Sequence, residues 1–506
     1  MDPLQNLNEI FEDLHKNQVH SGKLRWTLFT TGYDFGVEEA YKKVVEGLKD
    51  KNSYEHILKC MDMELDPILK RRVEIMYNMF KPYHLSEDLN RIDEEIQRKV
   101  TDISKVLNTF RYTFQGKTVS AVELAQVLSA DPDRKRRKEA YFARNQINQS
   151  VIDAGFIDLI NLRKQYASEY GSENFITYML EKNELEPTTF DGWHDQLQDL
   201  LPKMKEVRSK LAREFIHDDQ IMPWDEAYIS SQLAPSLNKQ VDMSEYYKNI
   251  EELFNNFGIN ISKFNITYDI FPRANKSEWG YNFPIETAKD SRILANVKNK
   301  YQEYGVLLHE TGHAVHSFLL DPEEKILNRG GSGIISEGIA NLFQGFLYKP
   351  MFYQKFFGDD TAVGEEFAKL REYKKLNSLR AINRIFLDHR FYKTNVSSLD
   401  DVYEMYWKNQ KEVLGEDPYG TDPPWAYIIH FTTHPIYMHN YFMGDVTCEM
   451  LAKVFERNFN ATMEEKPQEF GQFLIERVIN PSGMYKYNEL FRRISGEEFS
   501  LKYMID

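Results

Sequence analysis

The strongest constraint on how this chain can fold is a period. Long stretches of its 506 residues carry apolar side chains three and four positions apart, and glycine (25) and proline (18) seldom interrupt them. That spacing builds helices with one face turned to a core. It predicts helices at FGVEEAYKKVVEGLKDK, IDEEIQRKVTDISKVLNTFRYTF, VIDAGFIDLINLRKQYASEYG, EEFAKLREYKKLNSLRAINRIFLDHRFYK and FGQFLIERVI. Strand signals are confined to KFNITYDIF, which alternates and is β-branched, and to the apolar run SRILANV. The reading is a mostly α protein with one small β-sheet. No repeat, low-complexity tract or linker divides it. The expectation is therefore a single unit, 1–506, with a mainly helical part (1–278) and a part that holds the chemistry (279–506).

Composition narrows the partners. A net charge of −15 argues against general nucleic-acid binding and against anionic membrane surfaces. The one basic run, Arg134 to Lys138, reads as a solvated helix face. Cys60 and Cys448 are too few for a disulfide framework or a thiolate metal cluster. The first residues have no apolar stretch of signal-peptide length, and no stretch reaches membrane-span length, so a cytoplasmic protein is expected.

The chemistry sits in QEYGVLLHETGHAVHSFLL, a helix pattern whose apolar face runs through Val306, Leu307, Leu308, Ala314, Val315 and Phe318. His309 and His313 are four apart and so share a side, the pairing a zinc ion needs from one helix. Glu310 lies beside them, where it can take a proton from a water that the metal polarises. This is a His-Glu-x-x-His pattern. The alternative is a helix whose histidines are merely hydrogen-bonded. A catalytic zinc takes three protein ligands, and Glu337 follows His313 by 24 positions, after the turn NRGGSG and at the start of a new helix. One Zn²⁺ per chain is thus expected on His309, His313 and Glu337. Asn341, four residues beyond Glu337, is placed to hold a ligand histidine's outer N–H. His316 reads as a helix-rim residue.

KDSRILANVKNKYQEYGVLLHETGHAVH resembles the matching block of the angiotensin-converting enzyme family, through Lys289, Asp290, Arg292, Ile293 and the 23-residue gap before the glutamate. Thimet oligopeptidase and oligoendopeptidase F form the broader similar group, all zinc peptidases of the gluzincin type. SADPDRKRRKEAYFARNQ, YGSENFITYML and NPSGMYKYNELFRRISGEEFSLKYMI carry weaker likeness. The resemblance implies a large helical ellipsoid with a deep cleft that admits short peptides. It also implies that ILANV is an edge strand, with Ala295 at its middle, pairing with the substrate backbone.

A second constellation, WAYIIHFTTHPIYMHNYFMGDV, is dense in donors for a developing oxyanion. By the resemblance, His430 and Tyr441 stabilise the oxyanion and Tyr437 touches the substrate. Tyr441 lies four residues after Tyr437 rather than three, which leaves His434 as a substitute for His430. The alternative is an aromatic core helix with satisfied histidines. Ile428 stands where the converting enzymes hold the substrate carboxylate with a lysine, which tilts the expectation toward internal cleavage of oligopeptides. The rivals are an enzyme that trims C-termini, as a dipeptidyl carboxypeptidase or carboxypeptidase, and a silent peptide-binding protein.

Overall fold

The computed structural model describes residues 3–278, 280–481 and 483–505, with side chains from Asn6 onward. Helices dominate the described residues, as the apolar period predicts. Several predicted helices break where local chemistry demands it. Helix Glu87–Thr109 ends before RYTF, which turns back on itself as strands β1 (Tyr112–Phe114) and β2 (Lys117–Val119). Gln115 and Gly116 make that turn, with φ of 49° and 74°, the left-handed pair a tight hairpin needs. EEFAKLREY…HRFYK divides into Thr361–Ser378 and Ala381–Lys393, and VIDAGFIDL…SEYG divides at Gly155, whose φ is 94°.

The chain forms two compact units, each assembled from separate stretches. The first comprises Met1–Leu85, Leu237–Gly358 and Gly444–Phe499; the second comprises Ser86–Ser236, Asp359–Met443 and Ser500–Asp506.

The first unit contains the three-stranded sheet: β3 (Ile266–Asp269), β4 (Tyr281–Glu286) and β5 (Asp290–Leu294). Their order is β3-β5-β4, with β5 parallel to β3 and antiparallel to β4. β5 is therefore central, which corrects the edge-strand expectation for ILANV. The Ala295 N–H donates to the Asp269 carbonyl (3.0 Å), and the Ala295 carbonyl accepts from the buried Lys276 Nζ (2.5 Å). With both backbone groups engaged inside the chain, Ala295 has none to offer a substrate strand. The edges are β3 and β4, and Pro284 within β4 fits that place, since an edge strand tolerates a missing N–H. Helix Pro3–Thr31 packs on this strand, with Trp26 and Phe29 set edge-on against Phe283.

In the second unit the basic run is a solvated face only in part: Lys135, Arg136 and Lys138 are exposed, and the other two turn inward. Arg137 is buried and donates to Asp225, which is buried as well, and Arg134 closes on Asp225 and Asp218. Two of the five cations thus neutralise an interior carboxylate, a demand invisible in a local pattern. Among the described residues no helix is long and apolar enough to cross a membrane.

Candidate active site

Helix Tyr304–Leu319 carries the His-Glu-x-x-His pattern, and helix Gly333–Gln344 returns beside it. Ser332 caps the return helix by accepting from the Ile334 N–H (3.2 Å), so the glycine-rich segment acts as the predicted turn. The two helices approach closely because Gly312 has no side chain: a Cβ there would lie 2.8 Å from the Ala340 Cα. A second close approach fixes Glu337, against whose Cβ a side chain at Gly444 would lie at 2.8 Å.

This packing brings three donors together. His309, His313 and Glu337 each present a ligand atom, all within 4.8 Å of one another. His309 Nε2 faces Glu337 Oε2 at 3.7 Å, and His313 Nε2 faces Glu337 Oε1 at 3.8 Å. Burial, opposed by Asn341, pushes the His309 imidazole down to about 4. Burial and the neighbouring His309 and His316 push His313 down to about 3. Both rings are neutral at physiological pH, so these contacts are not ion pairs. Two neutral imidazoles and a carboxylate converge, each able to offer a lone pair. Tetrahedral zinc with bonds near 2.0–2.1 Å wants donors about 3.3 Å apart, so each histidine–glutamate distance closes by about half an ångström and the widest pair by more. The donor set fits zinc.

Burial, then the charge of Glu337, pushes Glu310 up to about 7, while the backbone N–H of Asn282 on β4 draws it down. A buried carboxyl poised near neutrality is suited to accept and return a proton. Burial also raises Glu337. Serine supplies the orienting contact that the sequence reading did not foresee: Ser336 Oγ meets His313 Nδ1 at 2.8 Å. Asn341 donates to Asp445 Oδ1 (3.0 Å), and His309 Nδ1 makes no hydrogen bond. His316 is buried rather than at the rim, its Nε2 unpartnered, and burial pushes it down to about 4. Only the single serine before Glu337 could have signalled the Ser336 contact, and a serine there is also an ordinary helix-start residue.

In the second constellation His430, His434 and Tyr437 lie in irregular chain of the second unit, and Tyr441 lies in the first turn of helix Met438–Phe459. Its rings do assemble. The His430 ring stacks on Tyr437 at 6.2 Å and meets Tyr441 edge-on at 5.6 Å, and the two tyrosines lie 5.5 Å apart. Tyr437 and Tyr441 are 40% and 46% exposed, far above what core tyrosines show. His434 touches only His430 among these rings, and its Nδ1 is paired with the neighbouring Thr433 hydroxyl at 2.8 Å. His430 Nδ1 points to the His434 carbonyl (3.4 Å), so that nitrogen carries the proton when the ring is neutral. Burial lowers the His430 value, and the His434 carbonyl opposes the shift.

No family model matches the sequence, and no curated protein matches it. Solved structures share its fold. An M32 carboxypeptidase from Deinococcus radiodurans R1 superposes with a TM-score of 0.64 over 100% of this chain and 97% of that one, at 15% identity. PZ peptidase A, solved with an inhibitor, gives a TM-score of 0.65 over 96% and 86%, at 16% identity. At these identities the likeness establishes the fold.

Proposed function

We propose that this chain is a zinc-dependent peptidase of short peptides. The observation that carries the proposal is the convergence of His309, His313 and Glu337 with a buried, near-neutral Glu310 beside the open edge of β4. The two structural relatives, both named as peptidases, support it, as does the sequence resemblance to the converting-enzyme and oligopeptidase group. Zinc on these ligands supplies Lewis acidity and a more acidic water. Glu310 is the residue that would take up the proton of the attacking water and return it to the leaving amine. The free edge of β4, not β5, is where a substrate backbone adds a strand. Tyr437 and Tyr441 are the hydroxyl donors assigned to the substrate and the developing oxyanion. His430, with its Nδ1 proton committed to a carbonyl, donates from Nε2 only as the imidazolium, and His434 is the weaker candidate. Cys60 and Cys448, too few for a disulfide framework, fit a reducing, cytoplasmic setting.

A second reading, trimming from the C-terminus, is favoured by one feature of the second unit. Arg384 reaches a cavity of about 410 Å³ and has no hydrogen-bond or ion-pair partner among the described residues. Tyr141, Tyr406, Tyr419 and Tyr427 line the same cavity, as do Ile428 and Phe431 on either side of His430 in the chain. An unpaired guanidinium among hydroxyls is a carboxylate receptor, and it supplies the cation that Ile428 does not.

The test is mass spectrometry of peptide pools, with free and with amidated C-termini, beside a Glu310→Gln control. Cleavage by wild type alone supports the peptidase. Loss of cleavage on amidation supports trimming, and equal cleavage supports internal cuts. No cleavage by zinc-loaded wild type would overturn the proposal.

A further inference from the structure

His430, His434 and Tyr437 stand on irregular chain that has no helical or sheet ladder to fix it, yet its backbone is gripped from two sides. Arg163, on helix Phe156–Tyr170, is buried and donates Nη1 to the Thr432 carbonyl (2.8 Å) and the Tyr392 hydroxyl (3.1 Å). Its Nη2 donates to the Thr433 carbonyl (3.4 Å). Asp388, on helix Ala381–Lys393, is buried too and accepts from the Ile436 N–H at 2.6 Å. A guanidinium thus holds carbonyls and a carboxyl oxygen accepts from an amide, each complementary to the half of the peptide group it meets. Between the two grips lie only His434 and Pro435. Ile436 itself is held at a φ of 51°, a conformation that β-branched residues rarely adopt unless their surroundings impose it.

We infer that Arg163 and Asp388 are positioning residues for the His430–Tyr437 donor cluster. They act on the reaction through the loop, without touching substrate, and this inference rests on the peptidase reading. Burial pushes Asp388 up to about 8, so an amide at this position resembles its neutral form. Asn can still accept from the Ile436 N–H, whereas Ala cannot.

The experiment is a mutant cycle on zinc-loaded protein, using a fluorogenic peptide and recording kcat, KM, zinc content and melting temperature. Asp388→Ala and Arg163→Met are expected to lower kcat roughly 100-fold with KM within about threefold and zinc content unchanged. Asp388→Asn is expected to recover most of the loss. In a His430→Ala/Tyr437→Phe background the same changes should cost less than about threefold, because the donors they position are gone. Equal losses in both backgrounds, or no loss in either variant, would overturn the inference. Should Asp388→Ala fail to fold, Arg163→Lys decides, since it keeps the charge and loses the fork. A fall of about tenfold in kcat supports the inference, and an unchanged kcat overturns it. Wild type that binds zinc and cleaves nothing defeats the peptidase reading, and this inference with it.

Discussion

The metal-ligand cluster and the donor cluster reach a defined geometry by opposite means. His309, His313 and Glu337 stand on two regular helices, so their spacing follows from helical pitch plus one close crossing at Gly312 and Ala340. His430, His434 and Tyr437 stand on irregular chain, and their spacing follows from buried charges on helices remote in sequence. The first cluster is rigid because its own backbone is hydrogen-bonded. The second has only isolated turn hydrogen bonds of its own, and Arg163 and Asp388 add the grips from outside the loop. Damage to the first should show in metal binding, and damage to the second in turnover.

The sharpest way to break that division is Glu310→Gln, which removes the proton acceptor and leaves all three ligands. Peptide turnover is expected to fall by about 10³-fold or more, with zinc still bound at one per chain by elemental analysis. Tyr441→Phe deletes a hydroxyl of the donor cluster, and kcat should fall roughly 100-fold with zinc affinity unchanged. A change in zinc affinity there would contradict the division. Ser336→Ala frees the outer nitrogen of His313, and a competitive chelator titration should show zinc affinity lower by about tenfold.

Gly312→Ala forces the two ligand helices apart and is expected to cost on the order of 2 kcal/mol in chemical denaturation, with zinc affinity falling as well. The smallest effect concerns pH. In protein stripped by chelation, Glu310 has a folded value near 7 against an ordinary 4.5, so the unfolded chain ionises first. The associated stability is present in acid and lost as pH rises through about 7. Glu310→Gln should therefore stabilise the stripped protein at about pH 8 by up to roughly 2 kcal/mol, and scarcely at all near pH 4.

Much of the first cluster was legible in the sequence, because a four-residue spacing on a helix is a statement about distance. What stayed hidden was its support. Ser336 and Asn282 reach the site through neighbouring turns and strands, and Gly312 and Gly444 matter only because another backbone passes within reach. The burial of His316 was hidden for the same reason, since a rim and a core position on one helix differ only in what packs against them. The donor cluster was legible as a group of residue types, but the choice between a core helix and an exposed aromatic cluster was not. The order of the sheet was misjudged: SRILANV reads as a strand, and nothing in it says that two others flank it.

The sequence by itself determined the helical class and pointed to the grouping of His309, His313, Glu310 and Glu337 on which the proposal rests, since the class follows from periodicity and the grouping from spacing. Only the tertiary structure decided which strand is the open edge, which histidine stands among the tyrosines, where an unpaired arginine lies and what holds the donor loop. Those depend on encounters between residues far apart in the chain, such as Arg163 with Thr432 and Asp388 with Ile436, and such encounters leave no local pattern.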